Sequence, residues 1–138
     1  MADETLEHHV VQQAGQKVTF LRHENFESWY ANNIQYVPSE WDLKLIFGEI
    51  EPHPDGTIAV LQHTAIVQSW LQAKLMHYWL TLQLAIYEQA HGTIPVPMSV
   101  MPPEPTPPEG NLKDDPATQK AYEYIKKARE QFFTSLAP

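Results

Sequence analysis

Hydrophobic and polar positions alternate along the second quarter of the chain. Trp41, Leu43, Leu45 and Phe47 share one parity, and Asp42, Lys44 and Ile46 share the other. A period of two is the signature of a strand with one covered face. Just before it, Ser28–Val37 is rich in aromatic and β-branched residues, with Tyr30, Ile34 and Tyr36 in phase, so a second strand is predicted there. Pro38-Ser39-Glu40 separates the two and predicts an antiparallel hairpin. Gly48 marks a bulge or a close backbone approach. Glu51–Thr57, with two prolines and Asp55-Gly56, reads as a turn, and Ile58–Gln62 as a short buried strand. Val18-Thr19-Phe20-Leu21, within 17–23, is β-prone enough for an edge strand. The sum is a three- to four-stranded antiparallel meander.

The period then changes. Thr64 is expected to cap a helix running to about His91, with Gly92 just past its end. Ile66, Trp70, Ala73, Leu80, Leu84 and Tyr87 follow a 4-3 spacing, and His77 fills the remaining slot. Val67, Leu71, Tyr78, Leu82 and Ala85 make a second stripe beside it. A helix apolar nearly all round needs cover on more than one side. In a chain this short the cover is a small sheet plus either the C-terminal segment or a second subunit. The predicted interface is therefore Ile66, Trp70, Ala73, His77, Leu80, Leu84 and Tyr87, with self-association as a homodimer or homotetramer through the long helix.

Residues 93–115 form a proline-rich linker, with Pro95, Pro97, Pro102, Pro103, Pro105, Pro107 and Pro108 favouring extended geometry. Asp115 as cap and Pro116 at the first helical position then open an amphipathic helix over 116–138, with Ala117, Ala121, Ile125, Ala128 and Phe132 on one stripe. A tethered amphipathic helix is suited to docking, on its own domain, on another subunit or on another protein. The motif Pro102-Pro103-Glu104-Pro105 resembles a ligand for a proline-reading domain, but no basic anchor flanks it and a spacer is the simpler reading. The expected organisation is a loose N-terminal arm (1–16), a sheet-plus-helix domain (17–92), the linker and the terminal helix. The fold class is α+β.

Composition narrows the function. The 138 residues carry 17 acidic against 9 basic side chains, a net charge of −8, which repels phosphate backbones and argues against nucleic acid as a partner. Lys126, Lys127 and Arg129 are interleaved with Glu123 and Glu130 and read as a solvated helix face. With no cysteine, disulfides, thiolate catalysis and cysteine zinc sites are excluded. The start, Met1-Ala2-Asp3-Glu4, lacks the apolar run of a signal peptide. The most apolar stretch, 65–87, holds Gln68, Gln72, Lys74, His77 and Gln83 and is too polar for a membrane span. A cytoplasmic protein is expected.

Candidate chemistry is sparse. His63, His77 and His91 recur every 14 residues, about 21 Å of helical rise, so one ion cannot bind them within a chain. Glu88 and His91 are spaced i,i+3 like ligands of di-iron bundles, but that chemistry needs further inward glutamates on companion helices. Glu40 and Asp42 form an i,i+2 carboxylate pair with no apolar pocket around it. Asn32-Asn33 suits hydrogen bonding in a bulge or turn. Trp29, Trp41, Trp70 and Trp79 suit packing in cores and interfaces. No nucleophile elbow or phosphate loop is present. No catalytic, cofactor-binding or metal-binding residue is assigned, and a non-enzymatic interaction protein is expected. An enzyme or metal site would have to be assembled between subunits from His77, Glu88 or His91.

The runs Tyr30–Tyr36, Trp41–Ile50, Gln62–Ala65 into Trp70–Leu75, and Tyr87-Glu88 before Gly92 are together similar to a small prokaryotic family catalogued as a domain of unknown function, over roughly residues 28–102. That resemblance transfers no catalytic residue. The order of meander, long helix, Gly92-Thr93-Ile94-Pro95 exit, proline-rich crossing and final helix also resembles the SecB-like export chaperones. It implies an acidic, cytoplasmic tetramer that holds unfolded chains in apolar grooves.

Overall fold

The computed structural model describes residues 9–136. The chain divides into two compact units, Met1–Trp70 and Leu71–Pro138.

In the first unit, β1 (His9–Gln13) and β2 (Gln16–Phe20) form a two-stranded antiparallel hairpin. Its two-residue turn, Ala14-Gly15, has φ of 49° and 77°, the paired positive values that match the twist of a tight hairpin. Two expectations are corrected here. Residues 9–13 lie within the predicted loose arm yet form a strand, and β2 pairs with that strand instead of edging the meander. The arm's first eight residues lie outside the described region.

The larger sheet has the order β3-β4-β5, all antiparallel. β3 (Asn33–Pro38) and β4 (Asp42–Pro52) are the predicted hairpin, in the register Ile34↔Phe47, Tyr36↔Leu45, Pro38↔Leu43. Ser39 closes the turn: its hydroxyl donates to Asp42 Oδ1 at 2.8 Å and accepts the amides of Trp41 and Asp42. β5 (Ile58–Ser69) pairs with β4 over its whole length. The register slips between Phe47 and Gly48, leaving His63 as the extra residue of a bulge. The turn from β4 to β5 is locked by Asp55, whose Oδ1 accepts the amide and hydroxyl of Thr57.

β5 is the main departure from expectation. The strand predicted to end at Gln62 continues to Ser69, and the helix α1 spans Trp70–His91, not 64–91. Thr64 is therefore a strand residue paired with Phe47, and Ile66 and Val67 belong to the sheet. The stretch 64–69 satisfies either period, but its β-branched residues complete the ladder to Asp42, which fixes their backbone groups as strand.

In the second unit, α1 is followed by short 3₁₀ turns at Met98–Val100 and Gly110–Leu112 within the linker, then α2 (Pro116–Ser135). α1 ends as predicted at Gly92, whose φ of 87° strains any residue with a Cβ. Asp115 caps α2 through the amide and hydroxyl of Thr118, with Pro116 in its first turn.

Candidate interaction surface

The most informative property of the chain is how little it covers. Among the described residues Leu45, at 3% exposure, is the one buried hydrophobic side chain, and neither helix has a buried residue. Leu45 owes its burial to a central position, with Tyr36 beside it on β3 and Ile66 on β5.

Helical geometry puts the apolar side chains of α1 in two stripes. At 100° per residue, Trp70, Ala73, His77, Leu80, Leu84 and Tyr87 share one side; Leu71, Leu75, Tyr78, Leu82 and Ile86 gather on nearly the opposite side. The stripes are thus opposed, not adjacent as the sequence pattern suggested. Leu80 and Leu84 are 53% and 52% exposed, and Leu71 is 70% exposed. Six of the seven predicted interface residues therefore share one surface. Ile66 does not; it sits on β5 opposite Leu45, in the sheet unit. Trp70 starts the helix and its indole N–H donates to the Ser39 carbonyl at 3.2 Å.

The sheet carries apolar side chains on both faces. Register places Ile34, Tyr36, Leu43, Leu45, Phe47 and Ile66 on one, and Val37, Ile46, Val60 and Val67 on the other. Trp41, beside the hairpin turn, is 79% exposed. The first face follows from the alternation that predicted β4. The second has no clear signal in the sequence, since Ile46 stands among polar neighbours and Val67 also fits the helical period.

A shallow cavity of about 150 Å³ lies between the segment 27–31 and the sheet, lined by Glu27, Trp29, Ala31, Phe47, His63 and Thr64. His63 Nε2 is 2.8 Å from the Tyr30 carbonyl oxygen, which can only accept, so Nε2 carries a proton. Nδ1 then meets the Thr64 hydroxyl at 2.8 Å, and the ring stacks on Trp29 at 5.3 Å. The Trp29 indole donates to Glu27 Oε2. With both imidazole nitrogens engaged, His63 pins the incoming segment to the bulge. Asn32 does similar work beside it: its Oδ1 accepts the Ile50 amide and its own amide donates to the Gly48 carbonyl.

Three other candidate side chains, Glu88, His91 and Asp42, are also committed locally. Glu88 Oε1 accepts the Ile94 amide at 2.9 Å, tying the helix to its exit. His91 Nδ1 donates to the Tyr87 carbonyl at 3.1 Å and the two rings stack at 4.5 Å. Asp42 answers Ser39. Asp55 and Asp115 are held below the usual carboxylate range, first by the hydroxyls and then by the amides of Thr57 and Thr118. Among the described residues no three His, Asp or Glu side chains are grouped as a metal would require, and no helix is long and apolar enough to cross a membrane.

In the second unit the proline-rich segment is held by α2. Arg129 Nε donates to the Pro102 carbonyl at 2.9 Å, and its guanidinium stands 3.7 Å from Glu104. The charge pattern predicts a solvated face for Arg129; the structure instead ties it to a carbonyl far along the chain, a bond that no local pattern reveals.

Comparison of the chain with protein-family models, with curated proteins and with solved structures finds no match.

Proposed function

We propose that this chain is a non-enzymatic, self-associating interaction protein of the cytoplasm, whose copies meet through α1 as a homodimer or homotetramer. The observation that supports the reading is the pair of opposed, exposed apolar stripes on α1. Covering one large apolar side chain is worth about 1.5–3 kcal/mol. Leaving several of them in water forgoes free energy on the order of a whole domain's stability, about 5–15 kcal/mol. A second copy supplies matching stripes without any further partner. Light scattering behind a sizing column tests this. The wild-type chain is expected at a multiple of 15.9 kDa, and a double variant, Leu80→Glu with Leu84→Glu, at a lower mass. A wild-type species of one chain mass removes the reading.

A second reading, a SecB-like holdase for unfolded polypeptides, is favoured by a separate observation. The elements run sheet, long helix, Gly92-Thr93-Ile94-Pro95 exit, proline-rich crossing and final helix, and the sheet unit exposes Trp29, Tyr30, Tyr36 and Trp41. Aromatic surface of that kind suits apolar segments of varied sequence. Its test is suppression of aggregation of a chemically denatured client at equimolar subunits; an unchanged aggregation rate excludes it while leaving self-association standing.

A further inference from the structure

We propose that the outer edge of β5 is a self-recognition strand, along which two copies of this chain pair antiparallel and join their three-stranded sheets into one six-stranded sheet. This rests on the self-association reading and adds to it a second contact, distinct from α1.

Backbone direction is the first argument. Ser39 donates to the Asp42 carbonyl, Asn32 to the Gly48 carbonyl, and the Ile50 amide donates to Asn32 Oδ1. Even-numbered residues of β4 therefore turn their backbone groups toward β3, and odd-numbered ones toward β5. The register then sets Leu43, Leu45 and Phe47 against Gln68, Ile66 and Thr64, and beyond the bulge Glu49 and Glu51 against Leu61 and Ala59. Alternation leaves the N–H and C=O groups of Val60, Gln62, Ala65 and Val67 directed away from β4. Among the described residues no other strand lies on that side.

The second argument is the contrast between the two edges. β3 has 6 residues and ends in Pro38, features that blunt an edge. β5 has 12 residues, about 40 Å of strand, and no proline. An open edge of that length and apolarity invites another strand.

Charge selects the occupant. The chain carries −8, so any surface that meets its own copy doubles whatever charge it bears. Residues 56–73 contain no Asp, Glu, Lys or Arg. A strand free of carboxylates, in a chain of net negative charge, can face itself across a two-fold axis without the repulsion that acidic side chains would bring. Ile58, Val60 and Val67, all exposed, gain cover in the pairing.

Proline at an outward position removes an edge donor and leaves the β4 ladder whole. Val60→Pro with Val67→Pro in the full chain is expected to halve the assembly mass and keep the far-ultraviolet circular dichroism, whereas Leu61→Pro, which strikes the ladder, is expected to lose the folded sheet. Amide exchange in the wild-type assembly reads the same edge without any variant. The Val60, Gln62, Ala65 and Val67 amides are expected to exchange at least about tenfold more slowly than those of the 53–57 turn. Folded proline variants of wild-type mass, or outward amides exchanging at turn-like rates in a wild-type oligomer, overturn this pairing and spare self-association. Slow exchange of Gln62 and Ala65 persisting in a dissociated, folded variant means another segment of the same chain covers the edge, and also overturns it. A wild-type chain of one chain mass overturns both proposals.

Discussion

A Cβ on Gly48 would stand 2.7 Å from the Leu61 carbonyl oxygen and 2.8 Å from Val60 Cγ1. Neither neighbour retreats cheaply, since one is backbone in the β4–β5 ladder. Gly48→Ala is therefore expected to destabilise the sheet by roughly 1–3 kcal/mol, read as a lower denaturation midpoint; an unchanged midpoint would mean the bulge relaxes freely. At Asp115 the relevant variable is pH. The Thr118 hydroxyl and amide bind the carboxylate and lower its pKa in the folded chain. A depressed folded pKa stabilises at pH above the unfolded carboxyl value of about 3.9, and the contribution fades as pH falls through the folded value. Helical circular dichroism should fall more steeply below pH 4 in the wild type than in Asp115→Asn, which lacks the titrating cap; parallel curves would contradict it. Gly48 and Asp115 were both legible as residues. The His63 tie to Tyr30 was not, because the partners lie 33 positions apart and nothing local marks the pair.

The elements were legible where one period dominated and obscure where two competed. The β3–β4 hairpin and the polar turn between its strands follow directly from alternation around Pro38-Ser39. The stop at Gly92 and the start at Asp115-Pro116 follow from backbone chemistry at helix ends. The boundary between β5 and α1 failed because Thr64–Ser69 fits both patterns, and the choice was made by a tertiary partner, β4. The hairpin strand β1 failed for the converse reason: its turn uses Ala14 at positive φ, where Gly or Asn would have announced it. In the second unit, the strap on α2 depends on Arg129. Its Nε bond to Pro102 is fixed in direction, while the ion pair reaches an 84% exposed Glu104. Arg129→Ala is thus expected to cost about 1 kcal/mol and Glu104→Ala only a few tenths, compared by thermal melts. Equal costs would mean the ion pair, not the carbonyl bond, holds the segment.

At the scale of the molecule, burial rather than chemistry sets the account. Asp42, Asp55, His63, Glu88 and Asp115 close turns, pin loops or cap a helix, while most apolar side chains of α1 are exposed and, among the described residues, the sheet fully buries only Leu45 of its hydrophobic side chains. On the proposed reading the surface is covered by a copy of the chain, which offers the same opposed stripes in the same order. Sedimentation equilibrium of the wild-type protein over a hundredfold range of concentration tests this most directly. The account predicts a mass of two or four times 15.9 kDa at the upper concentrations, with dissociation to single chains accompanied by loss of helix. A cooperatively folded species of 15.9 kDa throughout that range would contradict it.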